Sequence, residues 1–366
     1  MKFGVFLPNG SNGYILSTRS PQYTPTYAHN LAITQEAERH GLDFVLSMIK
    51  FRGFGGPSGY WNACLESFTL MSALAAQTSR VVLYPSVAIL SIHPAVAARM
   101  VATIDDVSGG RCGLNIVTGW NRPEYLQMGM WPGDEYYERR YEYAAEYLRI
   151  MKSLWRDGQV SHKGEFFDLP DCRCLPTPHR DIPIVCAGSS PRGVRFTAEL
   201  GDHNFVAAGL DKLRKIGTQL KDATHEFGRQ VGTYAQFVIV SADTDDEARR
   251  RADAILAGAD LEAIGNVVGS ASLDTNRGGT SDEIQAAIGR PIEEGNVVFM
   301  GTPVLCGSYE TVASQIESIA ADTPVDGLLL SFPDFVGGIR DFGAKILPLL
   351  SPSVRETRTA QPEAQP

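Results

Sequence analysis

The chain has 366 residues, with 33 Lys+Arg against 42 Asp+Glu for a formal net charge of −9, and its residues are 43% hydrophobic and 20% charged. That is an ordinary soluble composition with enough apolar side chains for a large core. The acidic balance, with no dense basic run, argues against a nucleic-acid or anionic-membrane surface.

The opening, MKFGVFLPNG, lacks a secretory apolar segment followed by a cleavage site. No apolar stretch approaches the ~20 residues of a membrane helix. The six cysteines (Cys64, Cys112, Cys172, Cys174, Cys186 and Cys306) are diluted through the chain, which reads as reduced thiols in a cytoplasmic protein. Cys172 and Cys174 form a lone C-x-C without a second ligand pair, so no metal site is expected.

Short β-rich runs alternate with helical periodicity. Strands are predicted at 2–7, 42–47, 80–88, 111–117, 182–187, 203–207, 234–240 and 326–332, and helices at 26–40, 66–78, 94–107, 135–155, 192–200, 211–227, 245–256 and 339–349. The strands are nearly continuous apolar runs, as parallel strands covered on both faces require. Eight βα units predict a (β/α)8 TIM barrel. Two domains would suit ~150 residues each, yet such barrels run past 200 residues as one. The expectation is a single domain over 1–350 and a disordered tail over 351–366.

In the long helix, Tyr137, Tyr141, Ala144, Leu148, Met151 and Trp155 recur on one face, and Asp134 is placed to cap its start. Gly109 and Gly110 are placed to stop the preceding helix. Insertions are predicted between strands four and five, with a hairpin around QVSHKGEFFDLP, and between strands seven and eight, where 241–325 holds helical pieces and the loop NRGGTSDE.

In a TIM barrel the active site lies at the C-terminal ends of the strands. The residues there are Pro8 and Asn9, Met48 to Lys50, Ser86, Asn115, Thr118 to Trp120, Gly188 to Ser190, Phe332 and Asp334. The set contains no His pair for a metal, no carboxylate couple and no G-x-S-x-G elbow. Amides, hydroxyls, glycines and aromatics suit a flat cofactor that brings its own reactivity. AGSSPRG follows a strand and opens a helix; it reads either as a phosphate cradle or as a plain turn with Ser190 as cap. No dinucleotide fingerprint is present.

The segments KFGVFLP, FVLSMIKFRGFGG, LESFTLM, AARMVATIDDVSGGR, NIVTGWNRPEY, WPGDEYYERRY, KGEFFDL, VCAGSS and GSYETVA resemble the bacterial luciferase-like flavin monooxygenases, and within them the branch acting on pyrimidine rings. NIVTGW and WPGDEYYERRY are the specific ones; SGGR is generic. The resemblance implies FMN held by Ile49, Lys50, Asn115, Glu124, Arg140, Tyr141 and Ser190. It implies dioxygen lodged beside the flavin at Leu46, Asn115 and Trp120, with Ser86 standing where the family pattern has Thr. It further implies that FMN is reduced in trans by a separate NAD(P)H-dependent flavin reductase, and that the C4 carbonyl of uracil or thymine is attacked to break the ring amide, giving a ureidoacrylate-type product. A homo-oligomer is expected. The stretch HNFVAAGLDKLRK departs from the family pattern, which loosens the substrate assignment.

Each residue also has a plainer reading. Trp120 and Leu46 fit simple core, Lys50 and Arg140 solvated charges, and Asn115 a strand-end amide. The rival functions are a sister monooxygenase acting on another cyclic amide, sulfone or halogenated ring, a deazaflavin-dependent dehydrogenase, and a silent flavin-binding barrel.

Overall fold

The computed structural model describes residues 1–355. Its frame is eight parallel strands: β1 (Lys2–Leu7), β2 (Phe44–Ser47), β3 in two pieces (Val82–Tyr84 and Ser86–Ala88), β4 (Leu114–Val117), β5 (Ile184–Ala187), β6 (His203–Val206), β7 (Gly232–Ala242) and β8 (Gly327–Ser331). The order around the ring is β2, β1, β8, β7, β6, β5, β4, with β3 closing it. The expected α/β barrel is the observed fold.

The continuous strand predicted over 80–88 is broken at Pro85. Proline has no N–H for the ladder, so the first piece pairs with β2 and the second with β4. Closure survives because the Pro85 carbonyl still accepts from Asn115 N at 2.8 Å. Inside the barrel, Tyr234 stacks on Phe44 at 4.6 Å and on His203 at 4.1 Å, filling the lumen with side chains.

The helix Tyr136–Asp157 buries Tyr137, Tyr141, Ala144, Leu148 and Met151 along the expected face. Its cap is not as predicted. Glu135 holds the N-cap position without a side-chain bond, while Asp134 is turned away to accept from Trp131 Nε1 at 3.1 Å and Arg122 Nη1 at 3.2 Å. Gly109, at φ 65°, ends the helix Pro94–Ser108 as its sequence predicts.

The first insertion contains the expected antiparallel hairpin, Gln159–Lys163 with Asp168–Arg173. The second is richer than predicted. After the helices Asp245–Ala257, Leu261–Ala271 and Thr280–Ala286 comes a further parallel strand, Val304–Ser308, paired with the C-terminal half of β7, and then the helix Tyr309–Asp322. At 11 residues β7 is long enough to serve β6 and β8 with one half and this strand with the other. The predicted last helix over 339–349 is instead the α-helix Phe335–Asp341, a wider π turn Phe342–Ile346 and a 3-10 turn Leu347–Leu349.

Within the stretch expected as a disordered tail, Pro352–Arg355 is a short helix with Val354 buried, and the Val354 carbonyl accepts from the Met1 ammonium at 2.7 Å. The rest of that expected tail, 356–366, lies outside the described residues.

Candidate active site

A concavity opens at the C-terminal mouth of the barrel and encloses about 1370 Å³ of empty space, mouth included. Its wall is built strand by strand: Phe6 from β1, Met48 to Lys50 after β2, Val117 to Trp120 from the end of β4, Ala187 to Ser189 from β5, Phe205 from β6 and Gln236 from β7. Asp274, Gly279, Thr280 and Met300 to Thr302 close it from the second insertion.

Lys50 and Glu124 meet on one side. Lys50 Nζ lies 2.9 Å from Glu124 Oε2 with both side chains buried, and Phe51 N donates to Glu124 Oε1 at 2.5 Å. The ammonium also faces the rings of Phe54, Trp120 and Trp61 at 4.8, 5.3 and 5.7 Å. Three rings and a carboxylate surround the buried ammonium as its electrostatic partners. Lys50 is therefore no solvated surface charge.

Arg140 is buried as well. Its Nη1 donates to Asp274 Oδ2 at 2.9 Å, and Asp274 is held in turn by Ser281 Oγ at 2.9 Å and the Asn276 N–H at 2.9 Å. Arg140 Nε has no partner among the described residues. Beside it, Tyr141 OH is 3.4 Å from Ser190 Oγ. Ser190 caps the helix Pro191–Leu200 by accepting from Gly193 N at 3.1 Å. Gly188 and Ser189, rather than fully buried Ser190, reach the cavity. A Cβ on Gly188 would stand 3.1 Å from Tyr141 OH and 3.2 Å from Gly193 Cα, so the strand-to-helix turn is packed to the room glycine leaves.

A third group lies one layer deeper. Asn115 shares a face of β4 with cavity-lining Val117. Its Nδ2 donates to Ser86 Oγ at 2.7 Å, and Ser86 Oγ donates to the Ser47 carbonyl at 2.5 Å. Ser67 Oγ accepts from Ser86 N at 2.7 Å and lies 2.6 Å from Ser47 Oγ. With the Ser86 proton spent on Ser47, its oxygen must accept, which fixes the orientation of the Asn115 amide. Asn115 Oδ1 is buried without a partner. Leu46 and Ser86 are fully buried beside this chain.

The structure thus brings Ile49, Lys50, Trp120, Glu124, Arg140 and Tyr141 to one cavity, with Ser190, Asn115, Ser86 and Leu46 immediately behind its wall. Asp274, Ser67, Gln236 and the rings of Phe54 and Trp61 were not predicted. Asp274 carries no local motif, and the aromatic pair sits in a glycine-rich loop whose path no periodicity reveals. Among the described residues no cluster of His, Cys, Asp or Glu is placed to hold a metal, and the cysteines are free thiols. No described helix is long and apolar enough to cross a membrane.

The family model of the luciferase-like monooxygenases matches residues 1–327. The chain belongs to that family. Among its relatives, the pyrimidine monooxygenase RutA of Acinetobacter baylyi is 47% identical over 356 residues, covering 96% of this chain and 95% of the relative. The protein of the same name from Serratia proteamaculans is 46% identical over 354 residues, covering 96% and 95%. Riboflavin lyase (RcaE) superposes with a TM-score of 0.81 at 22% identity, covering 99% and 92% of the two chains, and the long-chain alkane monooxygenase LadA with 0.80 at 18%, covering 100% and 93%. These two likenesses speak to the fold alone. The protein is an oxidoreductase of the monooxygenase class.

Proposed function

We propose that this chain is a two-component, FMN-dependent monooxygenase that opens the ring of uracil or thymine at the C4–N3 amide. The observation that carries the reading is the relatives named pyrimidine monooxygenase, alike over 96% of the chain at 45–47% identity. The cavity residues fit a flavin mononucleotide. The unpaired Arg140 Nε and the Gly188–Ser189 backbone offer donors for a phosphate, and unpaired Asn115 Oδ1 awaits a donor.

Bound reduced FMN supplies the electrons that make dioxygen reactive. The protein's own tasks are physical. Lys50, fixed by Glu124 and three rings, holds one wall rigid. Asn115 has a second amide N–H uncommitted within the protein, a fixed dipole for negative charge developing on oxygen. The Ser86 hydroxyl, whose proton is held by Ser47, positions Asn115 rather than donating to oxygen itself. The aromatic lining excludes water. At C4 a bond to one oxygen of dioxygen would form as the C4–N3 bond breaks and N3 takes up a proton, giving a ureidoacrylate-type product; the second oxygen would leave as water after a further two-electron reduction by the NAD(P)H that serves the reductase. The chain has no nicotinamide fingerprint, so a separate flavin reductase supplies reduced FMN, and the protein is a cytoplasmic homo-oligomer.

The test is turnover of uracil and thymine with FMN, NADPH and dioxygen, followed by mass spectrometry. Ring-opened product is expected only after a flavin reductase is added. Product without a reductase overturns the two-component assignment; oxygen-dependent turnover of other cyclic amides with none of uracil overturns the substrate.

A further inference from the structure

Gln236 is a polar cavity residue that the site described above leaves without a task. It stands on β7 in register with Leu329 of β8, one barrel layer above the stacked rings of Tyr234 and Phe44. The residue is 4% exposed, yet its side chain lines the cavity. Its carboxamide has no hydrogen-bond partner among the described residues, and its polar atoms are not sealed into the protein but open on the cavity.

The surroundings are apolar and aromatic. Phe6 stacks on Tyr14 at 4.1 Å and meets Phe205 edge-on at 5.6 Å. The Tyr14 hydroxyl is already committed to the Leu7 carbonyl at 2.9 Å. Gln236 is therefore a free carboxamide set against an aromatic floor.

A carboxamide that faces a cavity with no partner from the protein is left for a ligand to complete. A carboxamide offers an acceptor and two donors side by side. The matching edge is a ring N–H next to a ring C=O. An alkyl or purely apolar ligand would leave both ends of the amide unpaired. Aromatic walls favour a flat ring for the remainder of the ligand.

We propose that Gln236 is a specificity-determining residue that pairs with the lactam edge of a planar heterocyclic substrate, whose ring rests on Phe6 and Phe205. The inference rests on the pyrimidine reading and deepens it. The flavin ring carries a comparable imide edge, so the test separates the two ligands.

The variants are Gln236→Leu, which keeps the bulk and removes the polar atoms, and Gln236→Glu, which keeps acceptors and removes donors. Replacing an unpaired buried amide by Leu leaves the melting temperature unchanged or higher, so loss of fold does not confuse the result. Three quantities are measured: FMN affinity by fluorescence, equilibrium binding of uracil to the enzyme carrying oxidised FMN, and kcat/KM for uracil with a reductase present. In Gln236→Leu, FMN affinity stays within about twofold, while uracil binding and kcat/KM fall about 100-fold or more, as for a site built to bond a polar edge that loses its partner. The Leu variant also loses the wild-type preference for uracil over its N-methylated analogues, and Gln236→Glu shows reduced uracil binding as well. A fall in FMN affinity with uracil binding intact overturns the proposal in favour of a flavin contact. Uracil kcat/KM retained within about threefold in the Leu variant overturns it while leaving the pyrimidine reading standing. A wild-type enzyme that binds FMN but does not open uracil overturns both.

Discussion

Asn115 illustrates how a single amide is committed by its neighbours. One of its N–H groups is tied through Ser86 to the Ser47 carbonyl, which leaves the other N–H and a buried oxygen for whatever enters the site. Asn115→Leu is close in volume and removes both. FMN binding is expected to persist with a modest loss, while single-turnover oxygenation by pre-reduced enzyme slows by about 10²-fold or more, the usual consequence of losing a preorganised donor. A wild-type oxygenation rate with FMN bound would reject the role assigned to Asn115. Ser86, where the resemblance leads one to expect Thr, is fully buried and its hydroxyl is engaged on both sides. Most of these positions were legible because each lies at the end of a strand that apolar runs reveal. Ser67 and Gln236 were not, since a Ser at a helix start and a Gln inside a strand look ordinary until the barrel closes around them.

At the scale of elements, the second insertion roofs the site. Asp274 reaches across to Arg140, and Ser189 Oγ donates to the Gly278 carbonyl at 3.4 Å, so the segment over 272–282 lies against the strand-to-helix turn at Gly188–Ser190. The insertion is legible from its length alone; the strand Val304–Ser308 is not, because five residues ending in Gly-Ser resemble a loop, and only β7 makes them a strand. Asp274→Asn removes one partner of a buried ion pair, an uncompensated loss of about 3 kcal/mol or more at that contact. The side chain of Arg277 in the same loop is 79% exposed. Limited trypsin digestion of Asp274→Asn should therefore cut after Arg277 faster than in the wild type, with product formation per dioxygen consumed falling as water enters. Identical digestion rates would show that the pair does not hold the roof.

For the whole molecule, the barrel base carries its own pH signature. Burial against Tyr234, with Lys2 nearby, lowers the His203 pKa from its ordinary 6.5 to about 3. The unfolded chain then binds the extra proton between those values and the folded chain does not. This contribution to stability is present above pH 6.5 and is lost as pH falls toward 3, by up to ~1.4 kcal/mol per pH unit. Urea midpoints are expected to drop between pH 7 and pH 5, with a shallower slope in His203→Phe, which keeps the ring stack. Equal slopes would place the titration elsewhere. The barrel was legible as eight βα units because strand and helix periods differ so sharply, whereas the break at Pro85 and the length of β7 depend on which strands come to lie beside them.

Whether this flavin-dependent monooxygenase opens a pyrimidine ring can be decided by one single-turnover experiment. Enzyme carrying anaerobically reduced FMN is mixed with uracil and isotopically labelled dioxygen, and the product is read by mass spectrometry. A ring-opened ureidoacrylate-type product with labelled oxygen in its new carboxyl group is expected. Uracil recovered intact, or ring-opened product whose carboxyl oxygen comes from water, would contradict it.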